Sequence, residues 1–187
     1  HGGTLTNAIF LQRDAQGTPT GAEIKGLLRQ RDGSRFSGLA AGSRKDKGMF
    51  RVGADLAKAT AVIVAEAAID AVSALMAARA AGRDKGGVCA VSTAGEMKKG
   101  ENLPEPMLSA PAGAARVGAQ DRGRAGDRQF RVLRDADSDA TWHRWPPPEP
   151  HADWNDWAQA RAATRGGDTS RDADAVSTPS ETTPRME

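Results

Sequence analysis

The sequence predicts an α/β protein that opens with a small antiparallel β subdomain. Two observations carry this. From residue 61 onward, short continuous apolar runs alternate with helix-like segments, the order expected of a mostly parallel, four-stranded sheet with flanking helices. Before residue 61, short β-prone runs are separated by Gly-rich turns, the pattern of a small antiparallel sheet. A third observation bounds the far end. From about Arg165 the chain is rich in Ser, Thr, Asp and Pro and has almost nothing to bury, so a disordered tail is expected. The expected organisation is a β-rich subdomain over 1–58, an α/β domain over 59–163 and a tail over 164–187.

In the first part, residues 4–11 (TLTNAIFL) are apolar and β-prone, and Asp14 to Gly17 supply a turn. Residues 20–29, 34–40 and 48–53 give three further short strands. The loop GSRKDKG is polar and basic; its Arg44, Lys45 and Lys47 are candidate contacts to a nucleic-acid backbone or ordinary solvated side chains. At 61–65, AVIVA has the continuous apolar character of a strand buried on both faces. Residues 67–81 are Ala-rich, with Ile69, Val72, Leu75 and Met76 at helical spacing. VCAVS (88–92) is a second buried-type strand, and ARVGA (115–119) a weaker third. Between them, Pro104, Pro106 and Pro111 allow at best a short helix. A helix is expected over 124–134, a strand over 140–145, an extended PPPEP, and a last helix over 152–163 with Asp153 near its N-terminus.

Composition narrows the chemistry. The 187 residues include four Phe, four Trp and no Tyr, so the core rests on Ala, Val, Leu and Ile. The net charge is +2, yet residues 1–60 hold ten Lys/Arg against five Asp/Glu. That bias suits either a polyanionic partner or a plain basic surface. The single cysteine, Cys89, lies in an apolar run and reads as a buried small residue, which fits a reducing cytoplasmic compartment. No segment is apolar enough to span a membrane, and no Cys/His cluster has metal spacing. No signal peptide is visible, and a start at His1 suggests a missing upstream part. The four Trp (142, 145, 154, 157) either pack the final helix on the sheet or stack on bases. His143 has no ligand neighbours at metal spacing and reads as structural or exposed.

In a parallel sheet the functional crevice lies beyond the C-terminal strand ends. Glu66 follows strand 61–65 and Asp121 follows strand 115–119, so both acids belong at one edge. Two such carboxylates suit Mg²⁺, which binds through one or two acids plus water and phosphate oxygens.

VIVAEAAIDAVSAL resembles the first motif of the Toprim family, an apolar strand ending in Glu with an Asp four residues on. QDRGRAGD occupies the place of the second motif, Asp-x-Asp; VSTAG resembles the Gly segment between the motifs. ADWNDWAQA, NAIFLQRDAQGTPTGAEIKG and GMFRVG resemble the closing and opening elements of plasmid-borne, primase-like Toprim proteins. The resemblance spans roughly residues 4–160. It implies a Toprim-like fold and a DNA-metabolism module of a plasmid or mobile element, performing nucleotidyl or phosphoryl transfer with Mg²⁺. It implies DNA or RNA–DNA as substrate and replication or conjugation proteins as partners. Carried over, Glu66 is the catalytic acid/base close to the metal, Asp121 the metal ligand of motif two, and Asp70 a supporting acid. Two departures stand out: Ala67 replaces a favoured Gly, and Gly123 stands where the second Asp is expected. Asp127 is the candidate to complete the ligands, while Arg122 and Arg124 would favour an anion there. Altered metal binding, nucleic-acid contact without metal catalysis (a degenerate scaffold) and a structural remnant all remain open at this loop.

Overall fold

The computed structural model describes residues 6–29, 33 and 35–172. Positions 4, 5 and 34 of the expected strands and 173–187 of the expected tail lie outside the described residues. Three strands, β1 (Asn7–Arg13), β2 (Pro19–Arg29) and β3 (Arg35–Leu39), form an antiparallel sheet in that order. Cross-strand pairs such as Ile9↔Ile24 and Lys25↔Ser37 set its register.

The larger sheet contains β4 (Arg51–Gly53), β5 (Ala61–Ala65), β6 (Val88–Ser92), β7 (Ala115–Gly118) and β8 (Trp142–Arg144). Its order is β4-β6-β5-β7-β8, with β4 antiparallel to β6 and the other neighbours parallel. Four strands were expected; the sheet has five. The extra one is the segment 48–53 assigned above to the small sheet. Met49 still bridges to Arg13 of β1 through two backbone bonds (3.0 and 3.1 Å), and the chain then turns into the larger sheet. The physical reason is edge protection: β4 covers the open side of β6, whose every residue is buried.

Helices lie on both faces. On one, α1 (Ala68–Ala80) packs on β5 and β6, and α3 (Trp154–Asp172) packs on α1. Trp154 is fully buried between Trp145 and Trp157, with ring centroids 4.3 and 5.9 Å away. The tryptophans are therefore largely a packing cluster. The last helix continues past its expected end at 163 to Asp172, so the stretch 164–172 of the expected tail is helical. On the other face, α2 (Arg124–Ala136) inserts Leu133 beside Met97, Met107 and Val64, and Phe130 meets Trp142 edge-on at 6.1 Å. The Pro-rich stretch yields one 3₁₀ turn, Glu105–Ser109. Cys89 is buried and burial pushes its thiol up to about 11, so it is an inert core residue.

Candidate active site

The chain leaves β5 through α1 to reach β6 on one side, then crosses back to β7 on the other. The crevice therefore opens between the C-terminal ends of β5 and β7. Glu66 follows β5 directly. Its main-chain carbonyl accepts bonds from Ser92 Oγ (3.1 Å) and the Gly95 N–H (2.9 Å), so the VSTAG segment clamps it from the β6 side. Asp121 follows β7 at the matching height. Gln120 Nε2 donates to the Val64 carbonyl at 2.7 Å and ties that loop to β5.

Neither the Glu66 nor the Asp121 carboxylate has a hydrogen bond or ion pair among the described residues. Both are half-buried. Burial pushes Glu66 above the usual carboxylate range, and the charges of Asp121 and Glu96 push it further. Burial likewise raises Asp121, as do Asp153 and Asp156, against the opposing pull of Arg144 and Lys25. Two unpartnered, mutually repelling oxygen ligands at adjacent strand ends fit a hard divalent cation completed by water or phosphate.

Asp127 is engaged by a cation. It accepts from Arg144 Nε at 3.3 Å, and no group of three His, Cys, Asp or Glu among the described residues is arranged around a metal. Gly123 starts α2 with φ 97° and ψ −172°, a conformation only glycine adopts freely. Asp70, one turn beyond Glu66, accepts the Asn155 N–H at 3.0 Å and so anchors α3. Burial, followed by Asp153 and Asp121, raises it to about 7. The Asp-Trp-Asn-Asp element thus works as a helix start. Asp153 accepts the Asp156 N–H at 2.6 Å, Trp154 fills the core and Asn155 docks on Asp70.

The predicted cationic contacts divide. Arg44 pairs with Asp46 at 3.0 Å, Lys45 with Glu101 at 3.1 Å and Lys47 with Glu105, so the basic loop is latched to the segment after β6. Arg122 binds Glu149 (3.0 Å) and the Pro147 carbonyl (2.6 Å). Arg124 stays exposed at the start of α2, with no side-chain partner among the described residues.

Three residues at the site escaped the sequence reading. Lys25 of β2 lines a cleft of about 260 Å³ together with Phe10, Ser37, Leu39 and Glu66, and its charge opposes the upward shifts of Asp70 and Asp121. Glu23, also of β2, accepts the Ala68 N–H at 2.8 Å and so caps α1, whose own cap residue, Ala67, has no side-chain oxygen. Arg144 donates to the Gln120 and Asp121 carbonyls (2.8 and 2.6 Å) and so gathers the loop after β7, the second loop of the site. No local signal marks any of the three, because each acts on an element distant in sequence.

No family model matches the chain, and no curated protein matches it. Solved structures do. A primase catalytic domain bound to single-stranded DNA (DnaG) superposes with a TM-score of 0.54 at 15% identity, covering 86% of this chain and 51% of that one. A DNA primase domain from Pseudomonas aeruginosa also gives 0.54, at 16% identity, covering 87% and 50%. The chain spans about half the length of these structures. At such identities the likeness concerns the fold: a primase-like Toprim arrangement preceded by a three-stranded sheet.

Proposed function

We propose that this chain is a primase-like module of plasmid or mobile-element DNA metabolism, with the Glu66–Asp121 crevice as its centre. The observation that carries it is the pair of half-buried carboxylates, free of partners among the described residues, at the ends of adjacent parallel strands. The primase-like fold supports the reading, and the single-stranded DNA in one neighbour suggests the substrate class. Glu66 and Asp121 would hold one Mg²⁺, which when bound stabilises charge on a phosphoryl group. Glu66, at the end of β5 beside that ion, would accept the proton of an attacking hydroxyl. Lys25, which lines the cleft beside Glu66, and the exposed Arg124 at the start of α2 would meet phosphate oxygens. Asp70 and Glu23 position α1 and α3 and stay out of the chemistry. The test is primer synthesis from ribonucleotides on single-stranded DNA with Mg²⁺. Glu66→Gln abolishes it; synthesis unchanged by that substitution refutes the assignment.

A second reading is a degenerate scaffold that binds nucleic acid or a replication or conjugation protein. It is favoured by Gly123 and by the engagement of Asp127 with Arg144. DNA binding should then persist in EDTA and weaken steeply with salt. Absence of binding at low salt removes this reading.

A further inference from the structure

Arg144, the last residue of β8, points its guanidinium into the second loop. Nη1 donates to the carbonyls of Gly118 (3.3 Å) and Gln120 (2.8 Å), Nη2 to the Asp121 carbonyl (2.6 Å), and Nε to the Asp127 carboxylate (3.3 Å). Three main-chain oxygens and a carboxylate oxygen around one positive charge resemble the ligand set of a hard metal ion. The side chain is only 17% exposed. The loop packs so closely on α2 that a Cβ at Gly126 would collide with the Asp121 carbonyl. The neighbouring cations take no part in this arrangement, since Arg122 is held by Glu149 and Arg124 faces solvent.

We infer that Arg144 is the resident cation of the second loop: it holds residues 118–121 in shape without metal and restricts the site to one divalent ion, shared by Glu66 and Asp121. This rests on the proposed function only in taking that pair as the ion's seat. Charge dictates opposite effects for its two partners. Arg144, bonded to the Asp121 carbonyl, repels an incoming dication there, and Asp127 offsets part of that repulsion. An arginine with a packing role alone would have a different signature, since its loss would loosen the loop and weaken the ion.

The experiment is a titration of the whole chain with Mn²⁺, followed by electron paramagnetic resonance. The parent should bind one ion. Arg144→Met should bind Mn²⁺ at least threefold more tightly or take a second ion, and Asp127→Asn should bind at least threefold more weakly. A folded Arg144→Met that binds no more tightly than the parent, and takes no second ion, overturns the inference. Should that variant not fold, Asp127→Asn decides, because unchanged or tighter binding there overturns it equally. A parent that binds no Mn²⁺ removes the metal from the proposed function. The inference then survives only if Arg144→Met gains an ion, and it fails if none is gained. Primer synthesis is measured separately, so the two failures are distinguishable.

Discussion

At the scale of residues, one buried carboxyl and one backbone conformation near the crevice carry a cost. Asp70 carries a carboxyl raised to about 7, first by burial and then by Asp153 and Asp121. Its folded pKa lies above the unfolded value, so the stability it lends is complete below roughly pH 4 and is lost as pH rises through about 7. Asp70→Asn keeps an acceptor for the Asn155 N–H and removes the charge. In EDTA it should raise stability at pH 8 by roughly 1–3 kcal/mol and leave it nearly unchanged at pH 4, as read by urea unfolding at the two pH values. Gly123 makes the second case. Placing an acid there does not supply a ligand at no cost, because φ 97° with ψ −172° is strained for any side chain. Gly123→Asp should destabilise by roughly 1–3 kcal/mol, measured as a lower urea midpoint at constant slope.

Elements are coupled to the site through their ends rather than their middles. The helix α1 borrows its cap from Glu23 in another sheet, and α3 docks its first turn on Asp70 of α1. The start of α3 is anchored by its first residue, Trp154, buried between two other tryptophans. Trp154→Ala should cost roughly 3–5 kcal/mol by thermal or denaturant unfolding. Backbone amides early in α3 should exchange faster, while those of β6 keep their protection in proportion to the remaining global stability. An equal loss of relative protection in both elements would show that α3 does not act as a separate lever on Asp70.

For the whole molecule, the question is how the small sheet is held over the crevice. Among the described residues its contacts include the Glu23–Ala68 bond, the edge-on Phe10–Phe50 pair at 5.3 Å, the Arg13–Met49 bridge, the Arg51 bond to the Asp14 carbonyl (2.8 Å) and the latch of Lys45 and Lys47 on Glu101 and Glu105. The latch pairs are partly exposed, so each is worth about 0–1 kcal/mol. Replacing Lys45 and Lys47 by Ala should therefore lower stability by less than about 2 kcal/mol. If DNA draws these lysines from the latch, the same double variant should also reduce the salt slope of DNA binding by about two. An unchanged slope would leave them as a structural latch and shift the nucleic-acid role to Lys25 and Arg124. No helix among the described residues is long and apolar enough to cross a membrane.

Local chemistry encodes part of this protein directly in its sequence. AVIVA and VCAVS are strands because only burial on both faces suits a continuous apolar run, and Ala68–Ala80 is a helix from its Ala-rich composition, although alanines and Leu75 make its buried face while Met76 of the expected apolar set is exposed. The same patterning places Glu66 and Asp121 at one edge, since strand ends in a parallel sheet share a side. Whatever depends on distant partners is settled by packing instead. Packing moves 51–53 into the larger sheet, where the open side of β6 needs covering. It pairs Asp127 with Arg144, seventeen residues on, at 3.3 Å. The cations Arg44, Lys45 and Lys47 become partners of nearby acids rather than free contacts. Electrostatic neighbours are set by where elements pack, and no pattern within a window of sequence records that.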